Sequence, residues 1–428
     1  MIKKLWSSFV LSTNPFCKII VRSVRLLIAI KRGCAANFCI ILFFLFRLIP
    51  LQDKIVLTTF RGAKYGDNPK FILEELFALN PNITYIWLAN QKYQYDVPKY
   101  VKKIPFYNYI KKTYELATAK VWVNTHRMEH HLRRRKGQLI IETWHGGLGL
   151  KKIEGDVPKV LATPWEYKEI VNTSKISDLF ISNSDHLSKI YRRAFNFKGK
   201  IWKSGYPKND ILLAKSGEIR EKVSERLNIP IHSKIVIYAP TFRDSFLKSG
   251  FNKEVYDIDF RILKKTFEKK FGGTWYVLLR WHPIMAHYIK DVSNDTSFDV
   301  VNASDYPDMQ ELILSADAFI SDYSSCIFDA ALREIPCFTF ATDFEEYKAD
   351  RGVYYEMDEL PFPYARNNEE LEQNILKFDG KKYLDSWIRF KERTGFYESG
   401  HAGKDIAHVI NEFIKGNLKP LEDIHGEP

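Results

Sequence analysis

Cysteine is scarce in this chain and poorly spaced for structural chemistry. The five among 428 residues, Cys17, Cys34, Cys39, Cys326 and Cys337, are odd in number and lack CxxC spacing. They support neither a disulfide framework nor a zinc site, and they fit a reducing cytoplasm. GxxxxGKS/T, HExxH and GxSxG are all missing, which removes the signatures of a P-loop enzyme, a zincin and an α/β-hydrolase. The apolar run at 35–46 (AANFCIILFFLF) is twelve residues, whereas crossing hydrocarbon takes about 20. A cleavable secretory leader is not expected either, because the apolar stretch comes late and no small-residue cleavage pattern follows. Neither a short-period repeat nor a low-complexity segment is present, so a solenoid is not expected.

Acid is missing from the first fifty residues, which carry eight Lys or Arg and no Asp or Glu. Most of the net charge of +12 therefore sits in one segment, which argues for an anionic surface and against nucleic acid. Lys18, Arg22, Arg25 and Arg32 recur at helical spacing among Ile19, Ile20, Val21, Val24, Leu26, Leu27 and Ile28, the pattern of a helix lying on an anionic membrane. Residues 35–46 read as dipping into that membrane without spanning it; packing on the protein's own domain stays open as the alternative. The expected location is peripheral, on the cytoplasmic face of the cell membrane.

Beyond residue 50 the chain alternates β-branched and aromatic runs with amphipathic stretches. Strands are expected at 54–60, 84–90, 120–124, 138–143 and 178–183, then in a second series at 234–240, 275–281, 318–323 and 337–341. Nearly continuous apolar strands with helices between them imply parallel sheets covered on both faces. The expected fold is α/β, with two doubly wound Rossmann-like domains facing a cleft. The boundaries read as a membrane-associating segment at 1–50, a first domain at 51–210, a second at 211–415 and a tail at 416–428. The turn-rich SGYPKND (204–210) marks the junction.

Chemistry-bearing residues fall at strand ends, where ligands of such folds sit. TWHGGLGLKK (143–152) places His145 beside Gly146 and Gly147, an imidazole with open backbone around it. LLRWHP (278–283) puts Arg280 and His282 on one side of a strand by period-two alternation, joining a guanidinium that can grip phosphate to a ring that can move a proton. SDYSSCIFD (321–329) ends a strand in Asp322 and opens a helix with Ser324 and Ser325, either simple capping or a phosphate cradle. His126 with the basic cluster 127–136, and Thr241 in YAPTFRD, offer further side chains to the cleft. GDNPK (66–70) reads as a helix start, with Asn68 as cap and Pro69 in the first turn.

Taken in order, DNPKFILEEL, TWHGGLGLKK, SGYPKNDIL, YAPTFRD, LLRWHP, SDYSSCIFD and RGVYYE resemble the CDP-glycerol glycerophosphotransferase family, whose members make teichoic acids and related polyol-phosphate polymers. The resemblance runs from about residue 54 to about residue 400. It implies a glycosyltransferase-B architecture, a CDP-polyol donor carrying glycerol or ribitol, and a lipid-linked acceptor: a polyprenyl-diphosphate saccharide or a polyol phosphate. By the same resemblance His145 and His282 are catalytic. Arg280, Ser324, Ser325 and Arg351 hold the donor phosphates, with Asp322 and Thr241 beside them. Glu311 holds the ribose, while Gly146, Gly147 and His126 lie on the acceptor side. No metal or cofactor is demanded. One departure is GLGLKK after the histidine, where the family commonly carries a small polar or proline-containing stretch. The other readings kept are a nucleotide-sugar glycosyltransferase of the same build and a non-catalytic membrane scaffold.

Overall fold

In this computed structural model the described residues are 33–127, 132–158, 164–214, 217–243, 253–282 and 299–424, with positions 23 and 285. The amphipathic helix expected within residues 1–32 and the centre of the basic cluster (128–131) lie outside them.

Among the described residues the strands form two parallel sheets. The first holds β1 (Gln52–Thr58), β2 (Thr84–Ala89), β3 (Val101–Pro105), β4 (Ala119–Asn124), β5 (Leu139–Glu142), β6 (Leu179–Ser182) and β7 (Lys200–Lys203). Their spatial order is β3-β2-β1-β4-β5-β6-β7. The second holds β8 (Lys234–Ala239), β9 (Trp275–Leu279), β10 (Val300–Asn302), β11 (Ala318–Ser321), β12 (Cys337–Phe340) and β13 (Tyr364–Ala365), in the order β10-β9-β8-β11-β12-β13. Each order reverses beside its own first strand, between β1 and β4 and between β8 and β11. That reversal leaves a crevice beyond the carboxyl ends of the strands.

Every strand expected from apolar runs is present, and the four that were not expected, β3, β7, β10 and β13, are the sheet edges. An edge strand is covered on fewer sides and can be polar; VKKIP and KIWK carry lysines for that reason. The interior strands are buried on both faces, with Ile55, Val56 and Leu57 fully inaccessible.

The leading helical stretch, 33–46, packs on the protein's own first domain along one face. Cys39 and Phe43 are buried in the same cluster as Trp122 and Leu132, and Phe43 meets Trp122 edge-on at 6.2 Å. The opposite face is bare: Ile41 is 60% exposed, Phe44 71% and Leu48 84%. Among the described residues, no helix is long and apolar enough to cross a membrane.

Two segments cross between the sheets in ways the expected boundaries did not anticipate. The second unit expected from the sequence extends to residue 415, yet helix Ala402–Ile414 buries Ile406, Ala407, Ile410 and Ile414 in the core of the first sheet. Asp210 accepts the amides of Ala402 and Gly403 at 3.0 and 2.7 Å, capping that helix from the junction turn. In the other direction, Leu148 and Leu150 of the GLGLKK stretch are buried in a core cluster of the second sheet. These leucines are therefore anchors, and the departure noted in the sequence has a packing reason: burying two such side chains contributes roughly 1.5–3 kcal/mol each.

Candidate active site

The loop after β5 is held from three sides. Thr143 N donates to Asn124 O at 2.8 Å, joining the ends of β4 and β5. Trp144, at φ 51, turns the chain left-handed, and its carbonyl accepts Asn68 Nδ2 at 3.3 Å. Asn68 also receives the amide of Lys208 at 3.2 Å. It is thus a buried bridge between two motifs and not the helix cap expected; the cap position is Gly66 and the helix runs Asp67–Leu79.

His145 Nδ1 lies 3.0 Å from Thr125 O. A carbonyl can only accept, so Nδ1 carries the hydrogen and Nε2 keeps its lone pair. The half-buried ring packs against Trp144 at 4.3 Å and Phe60 at 4.9 Å. Burial lowers its pKa to about 4, against the opposing pull of Asp67. The side chain is therefore a neutral proton acceptor at pH 7. Thr125 organises both neighbours, because its hydroxyl also receives Phe60 N at 3.1 Å.

Across the crevice, Arg280 follows β9 and donates through Nη1 to Ala303 O at 2.6 Å and to Ser304 O. Burial lowers its pKa to about 10, with Asp305 and Asp308 pulling the other way. Among the described residues it makes no ion pair with a carboxylate, which leaves its charge available to an anion. His282 is exposed at the crevice, 5.7 Å from the Phe242 ring. The bulk of surrounding protein, then Lys151, Arg280 and His145, lower its pKa to about 4. His145 and His282, from opposite sheets, are thus electrostatic neighbours.

The serine turn closes the same space. Ser325 precedes helix Cys326–Ala331 without capping it through its side chain, and its hydroxyl faces the loop: a Cβ on Gly146 would stand 3.1 Å away. Ser324 Oγ lies 3.0 Å from Cys326 Sγ. A Cβ on Gly147 would stand 2.7 Å from Asn183 Nδ2, so a side chain there would have to displace that amide. RGVYYE pairs with the histidine loop, Lys151 bridging antiparallel to Val353 and Tyr354 N donating to Leu150 O at 2.8 Å. Arg351 sits two residues before that bridge, half-buried at the end of helix Phe344–Asp350.

Three expected contacts have other employment. Asp322 is buried and accepts Thr241 N at 2.8 Å, Tyr323 N at 2.6 Å and Arg243 Nη1 at 2.8 Å; it holds the β8 and β11 ends together and is not exposed to a donor. Glu311 accepts Lys222 Nζ at 2.8 Å and Tyr306 OH at 2.5 Å, so its carboxylate is already satisfied by protein. His126 is half-buried with its ring 6.1 Å from Trp144, and burial, then Arg61, hold its pKa well below 6.5. It supports the indole on which His145 leans. Thr241 differs, since among the described residues its buried hydroxyl has no hydrogen-bond partner.

Beneath the histidine loop lies a buried polar network that no sequence motif marks. Lys208 Nζ is 2.8 Å from Asp329 Oδ2 and 3.2 Å from His145 O. Asn209 Nδ2 reaches Asp329 at 3.0 Å and Glu398 at 2.8 Å. Burial alone would lower the Lys208 pKa, but Asp329 and Asp67 outweigh it and the net shift is upward. Lys208 and Asp329 stand in PKND and IFD, stretches read as turn and helix. Their opposite charges, 121 residues apart, meet only when the sheets face each other.

The facing strand ends carry two neutral imidazoles, serine hydroxyls and an arginine that, among the described residues, has no carboxylate partner, a set of groups that suits a phosphate ligand between two parallel α/β sheets. The family described as CDP-glycerol:poly(glycerophosphate) glycerophosphotransferase matches residues 41–412, and the chain belongs to it. It is 32% identical over 374 residues to a teichoic acid poly(glycerol phosphate) polymerase of Staphylococcus epidermidis, covering 84% of this chain and 51% of that one. With a teichoic acid glycerol-phosphate transferase of Staphylococcus aureus it shares 30% over 379 residues, 85% of this chain and 94% of the other. The solved wall teichoic acid polymerase TagF superposes with a TM-score of 0.76 at 27% identity, covering 93% of this chain and 99% of that chain. The chain spans about half the length of the polymerase from Staphylococcus epidermidis.

Proposed function

We propose that this protein transfers a polyol phosphate, glycerol phosphate or ribitol phosphate, from a CDP-polyol to a hydroxyl of a membrane lipid-linked acceptor in teichoic acid or related polymer synthesis. The acceptor oxygen forms a bond to the phosphorus bearing the polyol, the bond from that phosphorus to the bridging oxygen breaks, and CMP leaves with the electron pair. His145 Nε2 takes the acceptor proton. Arg280, His282 and the hydroxyls of Ser324 and Ser325 steady the donor phosphates, where positioning and charge screening supply most of the acceleration. Arg351 is a further phosphate contact in this reading. The observation that carries it is the tautomer of His145, set by Thr125 O, on a loop that lies against Ser325.

In the same reading the two units form a glycosyltransferase-B arrangement, with the donor mainly on the second sheet and the acceptor reached across the first. The bare face of residues 33–46, rimmed by the exposed Arg47, Arg133, Arg134 and Lys136, rests on an anionic membrane at its cytoplasmic side. The deciding experiment offers CDP-glycerol, CDP-ribitol and common nucleotide sugars with a lipid-linked disaccharide and measures CMP release and product mass. Release of CMP with product heavier by one or more polyol phosphates supports the reading. Turnover of a nucleotide sugar alone makes the protein a glycosyltransferase, and no turnover with any donor makes it a scaffold.

A further inference from the structure

Lys64 occupies the loop between β1 and helix Asp67–Leu79, on the side of the crevice that belongs to the first sheet. Its Nζ stands 5.2 Å from the centroid of the Phe60 ring, and the same ring lies 4.9 Å from that of His145. The ammonium and the proposed base therefore flank one aromatic side chain. Its charged neighbours are Asp67 and Lys208 on its own side, with Asp308 and Arg280 across the crevice. Both acids are engaged elsewhere. Asp308 pairs with Lys70 at 2.9 Å, and Asp67 accepts the amide of Asn68 at 2.9 Å.

Among the described residues, the Lys64 ammonium makes no hydrogen bond or ion pair. Burial lowers its pKa more than Asp67 and Asp308 raise it, and Arg280 and Lys208 push in the same direction as burial. A half-buried cation beside two other cations, with no hydrogen-bonded anion among the described residues, is costly unless a ligand completes it.

We propose that Lys64 binds the distal phosphate of a cytidine diphosphate donor, the phosphoryl group that is transferred, reaching it from the acceptor side. The position fits that task because Lys64 shares the Phe60 ring with the proposed base and has the arginine of the opposite sheet among its charged neighbours. As the displacement proceeds, negative charge gathers on the oxygens of the transferred group, and a second cation there acts where charge develops. This inference rests on the polyol-phosphate transfer reading.

The test compares binding of CMP and CDP to the full chain by calorimetry, in wild type and in Lys64→Met, Lys64→Gln and Lys64→Arg. CMP lacks the distal phosphate, so the ratio of the two affinities isolates it. Losing one charge-assisted contact should weaken CDP binding by about tenfold to a hundredfold in Lys64→Met and Lys64→Gln. CMP binding should hold within about twofold, and Lys64→Arg should keep most of the preference for CDP. Equal weakening of both nucleotides, no change in either, or a wild type with no preference for CDP would overturn the assignment. Failure of the parent reading looks different: the wild type would prefer CDP and lose that preference on substitution, yet transfer nothing from CDP-glycerol or CDP-ribitol.

Discussion

A methyl group placed on Gly146 would stand 3.1 Å from the hydroxyl oxygen of Ser325, so the loop that carries His145 rests directly on the serine turn of the other sheet. Contact this close means that the two halves of the site are set by one another. Gly146→Ala should hold the halves a few tenths of an ångström further apart. We expect kcat to fall on the order of a hundredfold while the melting temperature stays near wild type, as measured by steady-state CMP release and thermal unfolding.

Lys208 and Asp329 form a buried ion pair at 2.8 Å with side chains 7% and 2% exposed. Replacing lysine by methionine leaves the aspartate buried without its cation, and such truncations cost about 3–5 kcal/mol. Urea unfolding of Lys208→Met should show that loss. Adding Asp329→Asn should recover part of it, because the stranded charge is then gone. Equal stability of wild type and Lys208→Met would contradict the network described.

The pKa of about 4 at His145 predicts a pH profile unlike that of an ordinary histidine base. In the proposed role the imidazole works when neutral, so kcat/KM should fall on the acid side through about 4 and show no limb near the usual 6.5 or so. Donor phosphates favour the imidazolium, so the limb in kcat should lie at higher pH than that in kcat/KM. Stability follows the same sign. The unfolded histidine takes up a proton as pH drops below about 6.5 while the folded one resists, so this group contributes a loss of stability on acidification from there toward its folded value.

Phe44 is 71% exposed on a helix whose other face is anchored by Phe43. Phe44→Ser should leave thermal stability within about 0.5 kcal/mol of wild type, as surface changes do. Co-sedimentation with vesicles containing phosphatidylglycerol should weaken. The affinity lost should be on the order of tenfold, the equivalent of withdrawing one aromatic side chain from the interface. Unchanged vesicle binding in Phe44→Ser and in a further Ile41→Ser, Leu48→Ser double variant would rule out this face as the membrane contact.

Much of the architecture could be read in advance because interior parallel strands must be apolar on both faces. KIVIYA, WYVLL and AFIS declare themselves for that reason. The edges, VKKIP and KIWK among them, do not, since solvent tolerates their lysines. In the candidate site, His145, Arg280 and Ser325 were legible as polar residues ending buried runs. Lys64 was not, because a lone lysine in a glycine-rich loop looks like any solvated one. Asp322 and Glu311 misled for the opposite reason: a carboxylate at a strand or helix end suggests a ligand until Arg243 and Lys222 are seen beside it.

Composition and patterning by themselves determined the alternating α/β build, the parallel sheets and the identity of the residues at their carboxyl ends, since these follow from local periodicity and from the polarity change where a buried strand stops. Tertiary structure alone decided which of those residues meet: the tautomer of His145 through Thr125, the pairing of Lys208 with Asp329, the return of Ala402–Ile414 to the first core and the seating of Leu148 and Leu150 in the second. Each joins positions far apart in the chain. Such contacts are selected by desolvation and close packing between the sheets, and no local pattern records which partner a buried charge or a loop leucine will find.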